Sequence, residues 1–150
     1  MKVFRRILHA TDFSKASRPA LARAIALARQ NRAPLAILHA LPPVVMPVGG
    51  DMAYVSPQTY EAIDRGARDY ARKHLAAVTA RARKAGVRVT ALLVDGAPHE
   101  QIPRAIRRTR ADLVVIGTHG RTGLAKVFLG SVAERVVRLA TCPVLTVRSR

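Results

Sequence analysis

Hydrophobic positions along the chain change period in a regular order, with short apolar runs alternating with stripes at helical spacing. Residues 5–10 contain Ile7 and Leu8 and end in the polar turn Thr11-Asp12-Phe13-Ser14, which reads as a strand followed by a loop. Leu21, Ala24, Ile25 and Ala28 then form one stripe up to Asn31, with Ser17 placed to cap it and Pro19 in a first turn that tolerates a missing N–H. Residues 35–41 are almost continuously apolar, the pattern of a strand covered on both faces. Residues 42–57 carry four prolines and Gly49-Gly50, which suits an irregular surface excursion or a lid.

From Ser56-Pro57 a long helix is predicted, because Tyr60, Ile63, Ala67, Tyr70, Leu75, Val78 and Ala82 keep helical spacing until Gly86. A third strand is expected at 87–94 and a third helix at 98–110, where Pro103 should delay the start or introduce a kink. Residues 113–117 read as a buried strand, 131–140 as a helix with Ser131 and Glu134 spaced as a capping box, and 144–147 as a last strand. Strands alternating with helices through long crossovers predict an α/β fold. The expected form is a doubly wound, Rossmann-like, mostly parallel open sheet of five strands in the order 3-2-1-4-5, with helices on both faces. No repeat or linker divides residues 1–150, so one domain is expected.

Composition narrows the setting. Residues 1–11 lack the long apolar region and cleavage site of a secretory signal, and no apolar run is long enough to span a membrane. Cys142 is the single cysteine, which excludes an internal disulfide, and its apolar neighbours predict a buried thiol; a cytoplasmic location is expected. The formal net charge of +17, with 21 arginines among 26 basic residues, raises nucleic acid or another polyanion as a partner. Most arginines, such as Arg65, Arg68 and Arg72, recur at the spacing of solvated helix faces. Aromatic residues are 4% of the chain and are not interleaved with the arginines, so the stacking platform of single-strand readers is missing.

In an open parallel sheet, ligands sit at the carboxyl ends of the strands where the strand order reverses. Two loops fall there: residues 10–14, and the segment from Gly117 and Gly120 to Gly130-Ser131. The second leads straight into a helix whose first N–H groups need partners. Glycine allows close approach of the backbone to an anion and positive φ, the helix end supplies partial positive charge, and the Ser131 hydroxyl adds a donor. Arg121 and Lys126 can neutralise further charge. Asp12 is suited either to a local turn or to accepting hydrogen bonds from an amine or a ribose hydroxyl. His9, His39 and His119 do not have the spacing of a metal-ligand motif. There is no Walker loop, no Ser/His/Asp arrangement and no paired carboxylate, and the turn after the first strand lacks the glycines of a dinucleotide fingerprint.

The pattern glycine, two residues, glycine, nine residues, glycine, serine from Gly117 to Ser131 resembles the nucleotide loop of the universal stress protein family. The resemblance runs through Ile7-Leu8-His9-Ala10-Thr11-Asp12-Phe13-Ser14, Leu38-His39-Ala40, Gly96-Ala97-Pro98, Ala111-Asp112-Leu113 and Thr141-Cys142-Pro143-Val144, and so covers nearly the whole chain. It implies ATP binding and a role in stress response, and with it a nucleotide-dependent sensor is expected. Nucleotide phosphates supply most ligands of a Mg²⁺ ion, and with Asp12 the one acid expected in the crevice the expectation is at most slow ATP hydrolysis. By the same resemblance Asp12 lies near adenine and ribose, and Ala40 lies against adenine. Gly117, Gly120, Gly130 and Ser131 surround ribose and phosphates, and His119 and Val132 line the loop. It also implies a homodimer, for which the apolar last strand offers an edge. The alternative is a basic nucleic-acid or polyanion binder on the same fold with a vestigial nucleotide loop.

Overall fold

The apolar runs lie side by side as one sheet. In the computed structural model, which describes residues 3–44, 55–118 and 129–149, the strands are β1 (Ile7–Ala10), β2 (Leu35–Leu41), β3 (Val89–Asp95), β4 (Leu113–Gly117) and β5 (Val144–Val147). Their order is β3-β2-β1-β4-β5, and every pairing is parallel. The crossovers carry α1 (Arg18–Asn31), α2 (Pro57–Lys84), α3 (Pro98–Thr109) and α4 (Ser131–Leu139).

Strand side chains alternate between faces, and in the three central strands both faces are covered. Ile7, Leu35, Ile37, Leu113 and Val115 point to the side packed by Leu21, Ala24 and Ala28 of α1 and by Leu75 and Ala82 of α2. Leu8, Ala36, Leu38, Val114 and Ile116 point to the other, against Ile102 and Ile106 of α3 and Ala133 and Val136 of α4. This double burial explains why β4 is continuously apolar in sequence and β2 is so apart from His39. Each fully buried side chain, such as Leu8 or Ile37, contributes about 1.5–3 kcal/mol relative to exposure. Among the described residues no helix is long and apolar enough to cross a membrane.

Several local expectations are corrected. Ser17 does not cap α1 through its side chain: a 3-10 turn, Lys15–Ser17, precedes the helix, and Ser14 Oγ accepts the Ser17 N–H at 3.2 Å. Ser17 turns inward, and its hydroxyl donates to the Ser14 carbonyl. The capping box at α4 does not form, because Gly130 occupies the cap position and the Glu134 carboxylate accepts from Arg138 at 3.3 Å. α3 begins at Pro98 and continues through buried Pro103, so the delayed start is absent. Pro98 supplies a helical φ in the first turn, and the Ala97 carbonyl accepts from both Glu100 and Gln101. β3 starts two residues after its predicted position, since the Val87 N–H closes the end of α2 on the Ala82 carbonyl, with Gly86 at φ +81°. Cys142 is partly rather than fully buried. Burial and the nearby Asp112 push its thiol pKa up.

Candidate functional site

β1 continues into a crossover to β2, while β4 continues into one to β5, so these two neighbours diverge at their carboxyl ends. A cleft of about 690 Å³ opens there, within the range of small-molecule sites. Asp12 after β1, Ala40 in β2, Gly117 at the end of β4 and Gly130, Ser131 and Val132 at the start of α4 all line it. Six of the eight residues expected at a site are thus brought together. The other two, His119 and Gly120, lie outside the described residues, as do Arg121 and Lys126.

The β1 side is shaped by short side-chain turns. Asp12 Oδ1 accepts the Ser14 N–H at 3.0 Å, and Thr11 Oγ1 accepts the Phe13 N–H at 3.0 Å. These bonds hold Phe13 at φ +63°, an uncommon conformation for a residue with a side chain. His39 Nδ1–H donates to the Thr11 carbonyl at 2.8 Å, and its ring stacks on Phe13 at 4.3 Å. Asp12 therefore serves as a turn residue and also contributes to the cleft wall.

Beneath the divergence, His9 Nδ1–H donates to the Val115 carbonyl at 2.9 Å and ties β1 to β4. The donor role of Nδ1 leaves Nε2 with its lone pair, buried and without a hydrogen-bond partner among the described residues. Burial pushes the His9 pKa down to about 4, against opposing contributions from the Val115 bond and the charge of Asp12. It is a neutral strut at pH 7. No group of three or more His, Cys, Asp or Glu side chains among the described residues is placed to hold a metal ion.

On the β4 side the Gly130 N–H donates to the Thr118 carbonyl at 2.7 Å, so the segment between them leaves and returns at adjacent points. Gly130 has φ −60°, which any residue adopts. The expected positive φ is not used there, and what glycine contributes is the lack of a side chain on the cleft wall. α4 has no side-chain cap. Among the described residues its first N–H groups meet no side-chain acceptor, and they face a cleft that also receives the positive end of the helix dipole.

Sequence reasoning missed the residues that helices bring to the cleft. Ala67 and Tyr70 come from α2, and Pro98 and Ile102 from α3. Tyr70 keeps the helical spacing of the apolar stripe in sequence, and in the structure it is 48% exposed. A large aromatic left in solvent is the signal that could have singled it out.

A doubly wound parallel sheet with a cleft at its switch point defines a Rossmann-like α/β protein. The profile of the Universal stress protein family matches residues 4–148, and the chain belongs to that family. A universal stress protein of Methanocaldococcus jannaschii is 32% identical over 146 residues, spanning 97% of this chain and 83% of the relative. One from Thermus aquaticus is 37% identical over 146 residues, spanning 97% of this chain and all of the relative. A crystal structure of a universal stress protein in complex with cAMP matches with a TM-score of 0.70 at 28% identity, covering 97% of each chain.

Proposed function

We propose that this chain binds an adenine nucleotide, with ATP as the expected form, in the cleft at the β1–β4 divergence. The observation that carries this reading is the uncapped amino end of α4, which opens into the same cleft as Asp12 and Ala40. Phosphates fit against the first N–H groups of α4 and the bare Gly130, with the Ser131 hydroxyl as a further donor. Leu38, Ile102 and Ile116 offer apolar surface to a base, and Asp12 can accept from an exocyclic amine or a ribose hydroxyl. The cAMP complex of a relative at 28% identity supports an adenine nucleotide in this fold. Mg²⁺, where present, would be held chiefly through the phosphates. In this reading the chain is a cytoplasmic, homodimeric stress-response sensor whose occupied and empty states present different surfaces.

Calorimetric titration with ATP and Mg²⁺ at about 150 mM salt, where charge is screened beyond about 8 Å, tests the reading. The native chain is expected to bind ATP in preference to GTP, and Gly130→Val, which puts a branched side chain on the phosphate wall, to lose measurable binding. Equal binding of GTP and of the variant would instead show that a +17 surface collects anions without a site. The polyanion reading would then take its place.

A further inference from the structure

α2 packs on β2 and β3, and α4 packs on β5 and α3, on opposite faces of the sheet. Tyr70 and Ser131 therefore approach the cleft from opposite sides. If phosphates occupy the α4 side, whatever the nucleotide carries at its other end meets the α2 side.

Tyr70 is held there by other rings. His74, one turn further along α2, stacks on it at 3.9 Å with 28° between the planes. The imidazole is itself fixed, since His74 Nδ1–H donates to the Tyr70 carbonyl at 2.8 Å. Phe13 meets Tyr70 edge-on at 6.3 Å and His74 at 5.5 Å, and Phe13 is stacked in turn on His39. The left-handed Phe13 of the β1 turn is what brings its ring into this group. Tyr70 thus has one face covered by His74 and its backbone carbonyl engaged, about half of its surface stays exposed, and the residue lines the cleft. A side chain ordered in this way has already lost the rotamer freedom that a loose surface tyrosine would lose on binding a ligand.

We propose that Tyr70 is the base-stacking residue of the cleft, with His74 as its backing, and that it gives this chain a preference for nucleotides with a large aromatic base. The inference rests on the nucleotide reading above and assigns the side chain that recognises the base. Stacking on an aromatic ring selects for π surface, so a purine is favoured over a pyrimidine. Choice between adenine and guanine is left to hydrogen-bonding groups such as Asp12.

The test titrates ATP, UTP and inorganic tripolyphosphate, which has the phosphates without a base, into the native chain, Tyr70→Phe and Tyr70→Leu. Tyr70→Leu is expected to weaken ATP binding about tenfold and leave tripolyphosphate unchanged, while Tyr70→Phe stays within about twofold of native. With no tryptophan and three tyrosines in the chain, tyrosine emission should be quenched by ATP in the native protein and much less so in Tyr70→Leu. Unchanged ATP affinity and quenching in Tyr70→Leu would overturn the assignment of Tyr70 and leave the nucleotide site standing. So would equal losses for ATP and tripolyphosphate, or a Tyr70→Phe variant as weak as Tyr70→Leu. A native chain that binds ATP no better than tripolyphosphate would overturn both readings.

Discussion

His9 is held where β1 and β4 part, its Nδ1–H on the Val115 carbonyl and its Nε2 buried. With its pKa pushed from 6.5 to about 4, it stays neutral in the folded chain over a range in which the unfolded chain takes up a proton. The stability this gives is complete above about pH 6.5 and is lost as pH falls towards 4, where the folded state protonates as well. The span corresponds to about 3 kcal/mol. His9→Asn places an amide donor near the position of Nδ1 and removes the titration. Urea unfolding between pH 7 and pH 4 should therefore show native stability falling about 3 kcal/mol further than that of His9→Asn. The comparison of slopes matters because the smaller side chain also leaves a cavity that lowers stability at every pH. Parallel slopes would mean that water reaches Nε2 and that His9 titrates normally. Asp12 carries a different lesson at this scale: its two sequence readings, turn residue and cleft residue, are compatible, because one carboxylate oxygen makes the turn that sets the cleft wall.

At the scale of elements, the start of α1 gives a measurable distinction between Ser14 and Ser17. Ser14→Ala should lower stability by about 1 kcal/mol and Ser14→Gly by only a few tenths, read as a shift in denaturant midpoint at constant slope. Equal losses would mean that the Ser14 hydroxyl matters for something other than capping. The strands were legible because burial on two faces leaves a continuous apolar run, as in residues 35–41 and 113–117. The cap of α2 was legible in Ser56-Pro57, but those of α1 and α4 were not, since the choice between Ser14 and Ser17, and between Gly130 and Ser131, depends on backbone angles that residue type does not determine. Val87 extended the apolar run of β3 by pattern, although its N–H belongs to the end of α2. Asp12, Gly117, Gly130 and Ser131 could be read because strand ends and the helix start beside them define the crevice, whereas Ala40 and Val132 were named only by the family resemblance. Tyr70 and Ile102 could not, because they depend on where long helices come to rest on the sheet.

For the whole molecule, the position of β5 at the sheet edge among the described residues and the net charge act against each other. The Pro143 and Val147 carbonyls accept from β4, so the peptide groups of Val144 and Thr146 point away from it, to the sheet edge. Val137 and Leu139 of α4, which packs against β5, are 49% and 52% exposed. A second copy pairing along β5 would cover both features, but it brings together two chains of +17 each. Nine acidic residues cannot neutralise twenty-six basic ones, and ion pairs such as Arg68 with Asp64 and Asp95 are internal to one chain. The proposed dimer should therefore tighten as salt rises and its repulsion is screened, the reverse of polyanion binding, which weakens with salt. Sedimentation at micromolar concentration is expected to show a dimer at about 150 mM salt and partial dissociation at about 10 mM, where the Debye length grows to about 30 Å. Thr146→Pro removes an N–H on the open side of β5 and should give a monomer that still binds ATP, because the cleft lies at the far side of β4 from that edge. A native chain that sediments as a monomer at both salt concentrations would mean that β5 remains an open edge, protected by charge repulsion alone.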